Sequence, residues 1–480
     1  MLVLITVILY LGALLLLSHM VGKRSSNAAF FSGNRQSPWP LVAFGMIGAS
    51  ISGLTFIGVP GWVMSIDMTY LQMCLGFIVG YVIVAFVLLP LYYKQRLTSI
   101  YSLLDSRMGR TSYKTGASFF ILSKVLGAAA KFYVVCRILQ ACLLPILEVP
   151  YALVVIVALL LIWFYTRRGG IRTLVWTDVF QTLCLLLALV LILCKVISML
   201  HMGVGEAMTA VWQDSHSRIF EFADFASKQN FWKQFLSGVF IVIVMTGLDQ
   251  DMMQKNLTCR TLRDAQKDMC TYGFAFLPVN ALFMLLGVML IGVYNSQGTP
   301  LPDNPDDLLT LYCLHTGGIT LTLFVLGVVA TSFSTVDSAI TALTTTVCVD
   351  FLSSDGKGGK QPSVGLVHLF MTLLVAICCI LFHHFNTTSL IDAVYILVSY
   401  TYGPLLGLFA YAMTHKPRQR KRDGSALVCI LSPLLCLVLN HVVTTYSDYR
   451  FGYEMLLING LITYTGLWIA GKLSGKTDKY

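Results

Sequence analysis

The chain has 480 residues, of which 56% are hydrophobic and 12% are charged, against roughly 25% charged residues in soluble domains. This composition excludes a soluble globular protein and indicates a polytopic membrane protein whose surroundings are the lipid bilayer. The net charge is +10, but no nucleic-acid-binding motif accompanies it, so we expect no nucleic acid partner.

Hydrophobic segments long enough to cross a bilayer recur along the whole chain. Counting roughly 20 apolar residues per crossing predicts an all-α protein with about thirteen transmembrane helices. The predicted spans are 1–20, 38–66, 69–93, 115–145, 150–166, 172–198, 233–248, 270–295, 319–349, 363–383, 388–413, 426–444 and 454–471.

Basic residues concentrate in alternate loops, which therefore share one side of the membrane. The positive-inside rule assigns that side to the cytoplasm, so we expect the N-terminus outside and the C-terminus inside. The first segment has no basic residue before its apolar run, which predicts a retained helix over 1–24, not a signal peptide. The basic loop residues are Lys94, Arg96, Arg107, Arg110 and Lys114; Arg167, Arg168 and Arg172; Lys255, Arg260, Arg263 and Lys267; and those of HKPRQRKR at 415–422.

The second span contains small and polar residues at its middle, in GASISGLTFIGVPG at 48–61. A helix that breaks within a membrane is tolerated where the freed backbone groups line a cavity, and Ile51, Ser52 and Gly53 are the expected break. A packing face of small residues, with Gly48 and Ser52 in a small-xxx-small pattern, is the alternative. A pocket beside the break would use the hydroxyls of Ser50, Ser52 and Thr55.

The fourth span carries Lys131 near its middle, too far from either end to reach water by extending its side chain. An anionic neighbour is therefore expected. Either a solute or a protein carboxylate could supply it, and Arg137 on the same helix could fill either part.

The seventh span is interrupted at VMTGLDQD, residues 244–251. Two interrupted spans, each beginning a set of five, indicate a transporter built from inverted repeats. The expected divisions are the first repeat at 38–198, the second at 233–413, and two C-terminal helices with a cytoplasmic tail at 426–480.

The ninth span contains a row of hydroxyl side chains and one aspartate, in ATSFSTVDSAITALTTT at 330–346. Asp337 would lie near a helix centre, where an ionisable residue costs about 2.5–3.5 kcal/mol on insertion scales. Oxygen donors on one helix face suit a hard cation such as Na⁺, and a polar seam between packed helices is the alternative. The residues that share this face are Thr331, Ser334, Asp337, Ser338, Thr341 and Thr345.

No cluster of His, Cys or Glu with the spacing of a nucleophile or metal site occurs in the spans, so an enzyme is not expected. Five motifs in order resemble the sodium:solute symporter family, which has the broken-helix inverted-repeat fold of the leucine transporter. They are FFSGNR at 30–35, LTSIYSLLDSRMG at 97–109, RRGGIRTLVWTDVFQ at 167–181, DQDMMQK at 249–255 and STVDSAITALTTTVCVD at 334–350.

The resemblance implies a Na⁺ site formed by the backbone carbonyls of Gly48, Ile51 and Thr331 and the hydroxyls of Ser334 and Thr335. Na⁺ would be the coupling ion.

A second Na⁺ site, which some members have, would map to Asp178, Ser334, Asp337 and Ser338. Asp337 stands where those relatives carry a serine, and two carboxylates in one site repel unless a cation or a proton lies between them. Asp178 could instead be an interfacial residue near the cytoplasmic end.

The resemblance also implies solute contacts at Tyr70, Cys74 and Phe240, with core packing the alternative for the two aromatic residues. In members that carry acids, an arginine at the position of Lys131 meets the substrate carboxylate. An anionic solute is therefore favoured here over a neutral sugar or polyol.

These features predict Na⁺-coupled uptake of a small organic solute across a bacterial cytoplasmic membrane. A proton-coupled symporter, suggested by Asp337, and a transporter-like solute sensor are the alternatives. The sequence leaves the oligomeric state open, and we expect a single chain to carry out transport.

Overall fold

A computed structural model describes the chain except residues 1, 23–26, 144–148, 226, 353–362, 386–389, 416–423, 448, 450 and 478–480. Regular secondary structure in the described residues is helical, apart from one isolated bridge between Ser37 and Cys259. This agrees with the predicted all-α class. It also follows from the bilayer, in which a helix satisfies its backbone hydrogen bonds internally.

A long helix or bent helix pair stands at each of the thirteen predicted spans. In chain order they are α1 (Leu2–Gly22), α2a (Trp39–Ser50) with α2b (Gly53–Ile66), α3 (Tyr70–Lys94), α4 (Arg110–Leu143), α5 (Tyr151–Thr166), α6 (Ile171–Met199), α7a (Phe231–Gly247) with α7b (Gln250–Asn256), α8 (Leu262–Ser296), α9 (Gly318–Leu352), α10 (Val364–Phe385), α11 (Leu390–Thr414), α12 (Ser425–Tyr446) and α13 (Glu454–Thr477).

Eight helices in the described residues are individually long and apolar enough to cross a membrane, and the two bent pairs raise this number to ten. The shorter apolar helix α5, together with α11 and α13, stands at the three remaining predicted spans. Both predicted breaks are confirmed, because α2 bends by 64° and α7 by 71°.

Two helices begin earlier in the chain than predicted. Helix α4 begins at Arg110, not at 115, and α8 begins at Leu262, not at 270. The Thr261 side chain caps α8 by accepting a hydrogen bond from the Asp264 amide (3.1 Å). Hydropathy reports where the apolar run ends, whereas a capped helix continues into the polar region.

Helix α9 lies at the centre of the molecule and is buried along most of its length, whereas α1 and α12 are largely exposed. Helix α6 packs against both α9 and α2a, and α9 also contacts α4 and α2b. The first break, the middle of α6 and the hydroxyl row of α9 are therefore neighbours. Helix α3 packs against α7a, and α8 covers α2b and α3.

Candidate functional site

The first break exposes backbone oxygens at the end of α2a. Ile51 (φ −83°, ψ 96°) and Ser52 (φ −74°, ψ 164°) are extended, and the Ser52 hydroxyl caps α2b by accepting from the Thr55 amide (3.4 Å). In the described hydrogen bonds, none ends on the carbonyl of Gly48 or Ile51. These are two of the three carbonyls predicted as Na⁺ ligands.

The hydroxyl row of α9 lies against this break. The Thr335 hydroxyl is 3.4 Å from the Ala49 carbonyl and donates to the Thr331 carbonyl at 2.9 Å. One turn of helix separates Thr331 from both Ser334 and Thr335, so their oxygens share a face. The predicted residues of the first ion site thus come from two helices in direct contact.

Close packing at Gly48 and Gly53 brings the helices together. A Cβ on Gly48 would lie 2.1 Å from Thr182 Oγ1 of α6, and one on Gly53 would lie 2.2 Å from Ser332 Oγ of α9. Neither position has room for a larger side chain. The sequence left open whether these small residues mark a helix break or a close-packing face. Both are found, since the helix breaks here and Gly48 and Gly53 pack closely against α6 and α9.

Asp178 is buried, with 1% of its surface exposed. Its Oδ1 accepts a hydrogen bond from Ser334 Oγ (2.7 Å), and its Oδ2 lies 2.7 Å from Lys255 Nζ. Lys255 is also only 1% exposed, which corrects its assignment to a cytoplasmic loop. Its ammonium group lies inside the protein because it pairs with a carboxylate across the helix interface.

Asp337 is buried nearby and has different partners. Its Oδ2 accepts from the Tyr165 hydroxyl (2.5 Å), and its Oδ1 accepts from Ser338 Oγ (3.3 Å). The four residues predicted for a second ion site thus form two pairs, Asp178 with Ser334 and Asp337 with Ser338. Lys255 joins the first pair and Tyr165 the second.

A cavity opens beside the first break. Five of its polar lining residues were predicted from the sequence as solute contacts: Ser50, Ser52, Thr55, Tyr70 and Lys131. The Ser50 hydroxyl hydrogen-bonds to the Tyr272 hydroxyl, which accepts from Tyr81 at 2.6 Å. Aromatic side chains form much of the remaining wall: Trp62, Phe77, Tyr81, Tyr272 and Phe276.

Cys74 and Phe240 lie outside this lining. On α3 the lining residues Tyr70, Met73, Phe77 and Tyr81 form one stripe, and Cys74 is buried beside it. On α7a the neighbouring Ile241 and Val242 line the cavity in place of Phe240. Successive residues on a helix point about 100° apart, so the neighbour of a residue that lines the cavity can face away from it.

Two lysines of α4 line the cavity in different electrostatic settings. Lys124 Nζ is 3.1 Å from Asp249 Oδ2 and 2.8 Å from Asp251 Oδ2. Lys131 also lines the cavity, but within the described residues no carboxylate forms an ion pair with it. Arg137, its predicted substitute, is exposed and donates to the Tyr133 hydroxyl (3.1 Å). Of the two cavity lysines, Lys124 forms ion pairs and Lys131 forms none with the described residues.

Asp249 also organises the second break. Its side chain caps α7b by accepting from the amides of Asp251 (2.9 Å) and Met252 (3.4 Å). The Tyr402 hydroxyl of α11 donates to Asp249 Oδ2 at 2.7 Å. The sequence signal for this role was present in DQD, an aspartate at an N-cap position followed by a helix.

One family model matches most of the chain. The model of the sodium:solute symporter family matches residues 30–424. A sodium/sialic acid symporter of Proteus mirabilis is 23% identical over 477 residues, covering 95% of this chain and 93% of the relative. The human sodium/iodide cotransporter is 23% identical over 403 residues, which are 82% of this chain and 62% of that longer protein.

Solved structures show the same fold. A Na⁺-coupled sialic acid symporter in a substrate-bound outward-open state has a TM-score of 0.82 at 19% identity, over 99% of this chain and 98% of its own. Mhp1, a nucleobase-cation-symport-1 family transporter in a closed conformation, has a TM-score of 0.59 at 13% identity, over 93% and 95% of the two chains.

Proposed function

Because the chain belongs to the sodium:solute symporter family, we propose that it carries a small organic anion into the cytoplasm together with Na⁺. The fold is the inverted-repeat fold of this family's solved relative, Na⁺ is the coupling ion, and the protein is a transporter in a membrane, not an enzyme. One observation supports the anion in particular: Lys131 lines the cavity beside the first break without an ion-pair partner among the described residues.

The proposed Na⁺ site lies between α2a and α9. Its ligands are the carbonyls of Gly48, Ile51 and Thr331 and the hydroxyls of Ser334 and Thr335. The contact between Thr335 and Ala49 supports this assignment, as do the unengaged carbonyls of Gly48 and Ile51. Five oxygens would replace much of the hydration shell of a hard monovalent cation.

The proposed solute site is the adjoining cavity. Lys131 would bind an anionic group as a point charge, because its ammonium lacks the bidentate fork of arginine. The hydroxyls of Ser50, Ser52, Thr55 and Tyr70 would bind polar groups, and the aromatic wall would cover apolar parts of the solute. Relatives named sialic acid symporters and sodium-coupled monocarboxylate transporters support a carboxylate as this anionic group.

The proposed topology places the N-terminus outside and the C-terminus in the cytoplasm, in a bacterial inner membrane. Residues 38–198 and 233–413 would be the two repeats, 1–24 an additional first helix, and 426–480 the two last helices and tail. In this orientation Lys131 lies two turns, about 10 Å, further outward along α4 than Lys124. An anion entering from outside would meet Lys131, which has no ion pair among the described residues, before Lys124.

Alternating access would follow from these two sites. Na⁺ bound between α2a and α9 would stabilise the bent α2 against α9 and so preorganise Ser50, Ser52 and Thr55 for the solute. Solute binding would then favour closure of the outer side. Because both sites use α2, loss of either ligand would weaken binding of the other by the same factor.

Purified protein in liposomes tests this proposal. We expect an inward Na⁺ gradient to drive uptake of sialic acid or a short monocarboxylate, and Lys131→Met to raise the solute KM at least tenfold. Lys131→Arg should retain much of the affinity, whereas Arg137→Met, on the same helix but exposed, should change it less than twofold.

Three outcomes would contradict the proposal. If the protein prefers a neutral sugar, and Lys131→Met transports it as well as wild type, the solute is not an anion. If a proton gradient drives uptake without Na⁺, Na⁺ is not the coupling ion of this transport. If no gradient drives uptake of any solute tested, the protein does not transport these solutes.

A further inference from the structure

Charged side chains from two helices line the cavity beside the first break. Lys124 and Lys131 come from α4, whereas Asp249 and Asp251 belong to the second break and the start of α7b. Lys124 Nζ lies 3.2 and 3.1 Å from the two oxygens of Asp249 and 2.8 Å from Asp251 Oδ2. An ammonium group has three N–H donors, so these three oxygens occupy Lys124 fully.

Asp251 has one carboxylate oxygen that the protein does not use. Both oxygens of Asp249 are occupied, since its Oδ1 accepts the amides of Asp251 (2.9 Å) and Met252 (3.4 Å). Its Oδ2 accepts the Tyr402 hydroxyl at 2.7 Å. Asp251 contacts Lys124 through Oδ2, and no hydrogen bond from the described residues ends on its Oδ1. Because Asp251 lines the cavity, a molecule bound there can reach this oxygen.

The charges that line the cavity point the same way. Lys124 supplies one ammonium against the two carboxylates of Asp249 and Asp251. Lys131 lies within electrostatic reach of both carboxylates, but it forms an ion pair with neither. The cavity thus has an excess carboxylate at one place and an excess ammonium at another. Buried charges are normally paired, so a solute that pairs with both is favoured over one that pairs with Lys131 alone.

The neighbouring group at the proposed ion sites has no cation to spare for Asp251. Asp251 lies within electrostatic reach of the ion pair between Lys255 and Asp178, and Asp337 is buried in the same group. With two carboxylates and one ammonium, this group has an excess of negative charge of its own. A partner for Asp251 Oδ1 is therefore expected from the cavity.

We infer that Asp251 binds a hydrogen-bond donor of the solute, so that the transported acid carries an amino or hydroxyl group remote from its carboxylate. The inference rests on the proposed function, in which Lys131 binds the carboxylate. Lys124 and Lys131 lie on the same face of α4, about 10 Å apart along the helix, because seven residues make nearly two turns. Since Lys124 contacts Asp251, the donor and the carboxylate of one solute would be separated by a similar distance.

Four acids of equal chain length test the inference. Hexanoate has no additional donor, two derivatives carry a terminal amino or a terminal hydroxyl group, and the fourth acid carries its amino group beside the carboxylate. A bound ligand raises the melting temperature of the purified protein by mass action, so the concentration dependence in Na⁺ gives an affinity for each acid. We expect the acid with the terminal amine to bind about tenfold more tightly than hexanoate, with the terminal hydroxyl between them, because charge-assisted hydrogen bonds are stronger. The fourth acid should bind no more tightly than hexanoate.

Two kinds of failure can be told apart. Equal affinities for hexanoate and both terminal derivatives, or tightest binding of the fourth acid, would overturn the inference and leave Na⁺ symport of an acid intact. If none of the four acids stabilises the protein in Na⁺, the acid site of the proposed function is wrong, and the inference falls with it.

Substitutions assign the preference to Asp251. Asp251→Asn should lower the ratio between the affinities for the terminal amine and for hexanoate from about tenfold to near one, whereas Asp251→Glu keeps the carboxylate and should retain a preference for the amine. Asp303→Asn, which removes an exposed carboxylate between α8 and α9, should leave the ratio unchanged. If Asp251 only holds Lys124 in place, Asp251→Asn would change the affinities for all four acids alike, and the inference would be wrong. Should that variant fail to fold, the order of affinities in the wild type decides.

Discussion

The two broken helices bend by similar angles, 64° for α2 and 71° for α7, but their breaks differ in chemistry. The first break is neutral, and its Gly48 and Ile51 carbonyls accept no hydrogen bond among the described groups. The second is charged, and its polar groups are paired with neighbouring side chains. Asp249 caps α7b, Lys124 pairs with Asp249 and Asp251, and Tyr402 donates to Asp249.

This difference shows that equivalent positions in two repeats can have different roles. A break that binds an exchangeable ion must leave its backbone oxygens free when the ion is absent. A break with a structural role can be satisfied permanently by side chains from its neighbours. We therefore expect substitutions at the second break to affect stability first and those at the first break to affect ion affinity first.

The largest expected effect is at the second break. Asp249→Ala should lower the free energy of unfolding by about 2–4 kcal/mol, because it removes a helix cap and leaves the buried Tyr402 hydroxyl without its acceptor. Thermal unfolding in detergent measures this change. As a control, Arg218→Ala removes an exposed ion pair with Asp67 and should cost less than about 1 kcal/mol. Equal costs for the two variants would contradict a structural role of the second break.

Packing at the first break comes next. Gly48→Ala should destabilise the protein by about 1–3 kcal/mol, since the added methyl group overlaps Thr182 and a close-packed interior resists expansion. Gly127→Ala in α4 is the matched control, because nothing lies within 4 Å of its added Cβ. Unchanged melting of Gly48→Ala would show that α2a and α6 can separate at no cost.

Ion affinity tests the neutral break directly. Ser334→Ala should raise the Na⁺ concentration for half-maximal uptake at least tenfold, or about 1.4 kcal/mol, because the hydroxyl that we propose as a Na⁺ ligand is removed. Ser332→Ala removes a buried hydroxyl of the same helix whose partner among the described residues is the Val328 carbonyl. Its Na⁺ affinity should stay within twofold of wild type. A shift of the same size in both variants would indicate a general packing effect and not ligand loss.

The smallest expected effect concerns the cap of α2b. Ser52→Ala removes the acceptor of the Thr55 amide and should cost about 1 kcal/mol of stability. Because the Ser52 hydroxyl also lines the cavity, solute KM should rise as well. Ser52→Asp provides the contrast: it restores a cap but places a negative charge in the cavity, so KM for an anion should rise further while melting recovers. Recovery of both properties would exclude solute contact at Ser52.

Much of the site could be predicted from the chain because its signals are local. Gly48 to Gly53 interrupts an apolar run, and the hydroxyls of α9 recur at helical spacing, so both the break and the oxygen-bearing face could be identified from short windows. The residues that line the solute cavity were harder to predict from the sequence. Tyr70 lines the cavity whereas Cys74, one turn later, lies beside the lining stripe, and hydropathy does not resolve such a rotation.

Long-range pairing was beyond sequence reasoning. Lys124, Lys131 and Lys255 have the same side chain in the same apolar setting, yet the first pairs with two aspartates and the third with Asp178, whereas the second lines a cavity and forms no ion pair with the described residues. The all-helical class, the positions of both breaks and the oxygen-rich face follow from the sequence alone, because a bilayer imposes length, apolarity and internal hydrogen bonding on each segment separately. Which charges meet was decided by tertiary structure, because an ion pair depends on helices distant in sequence packing within a few ångströms of each other.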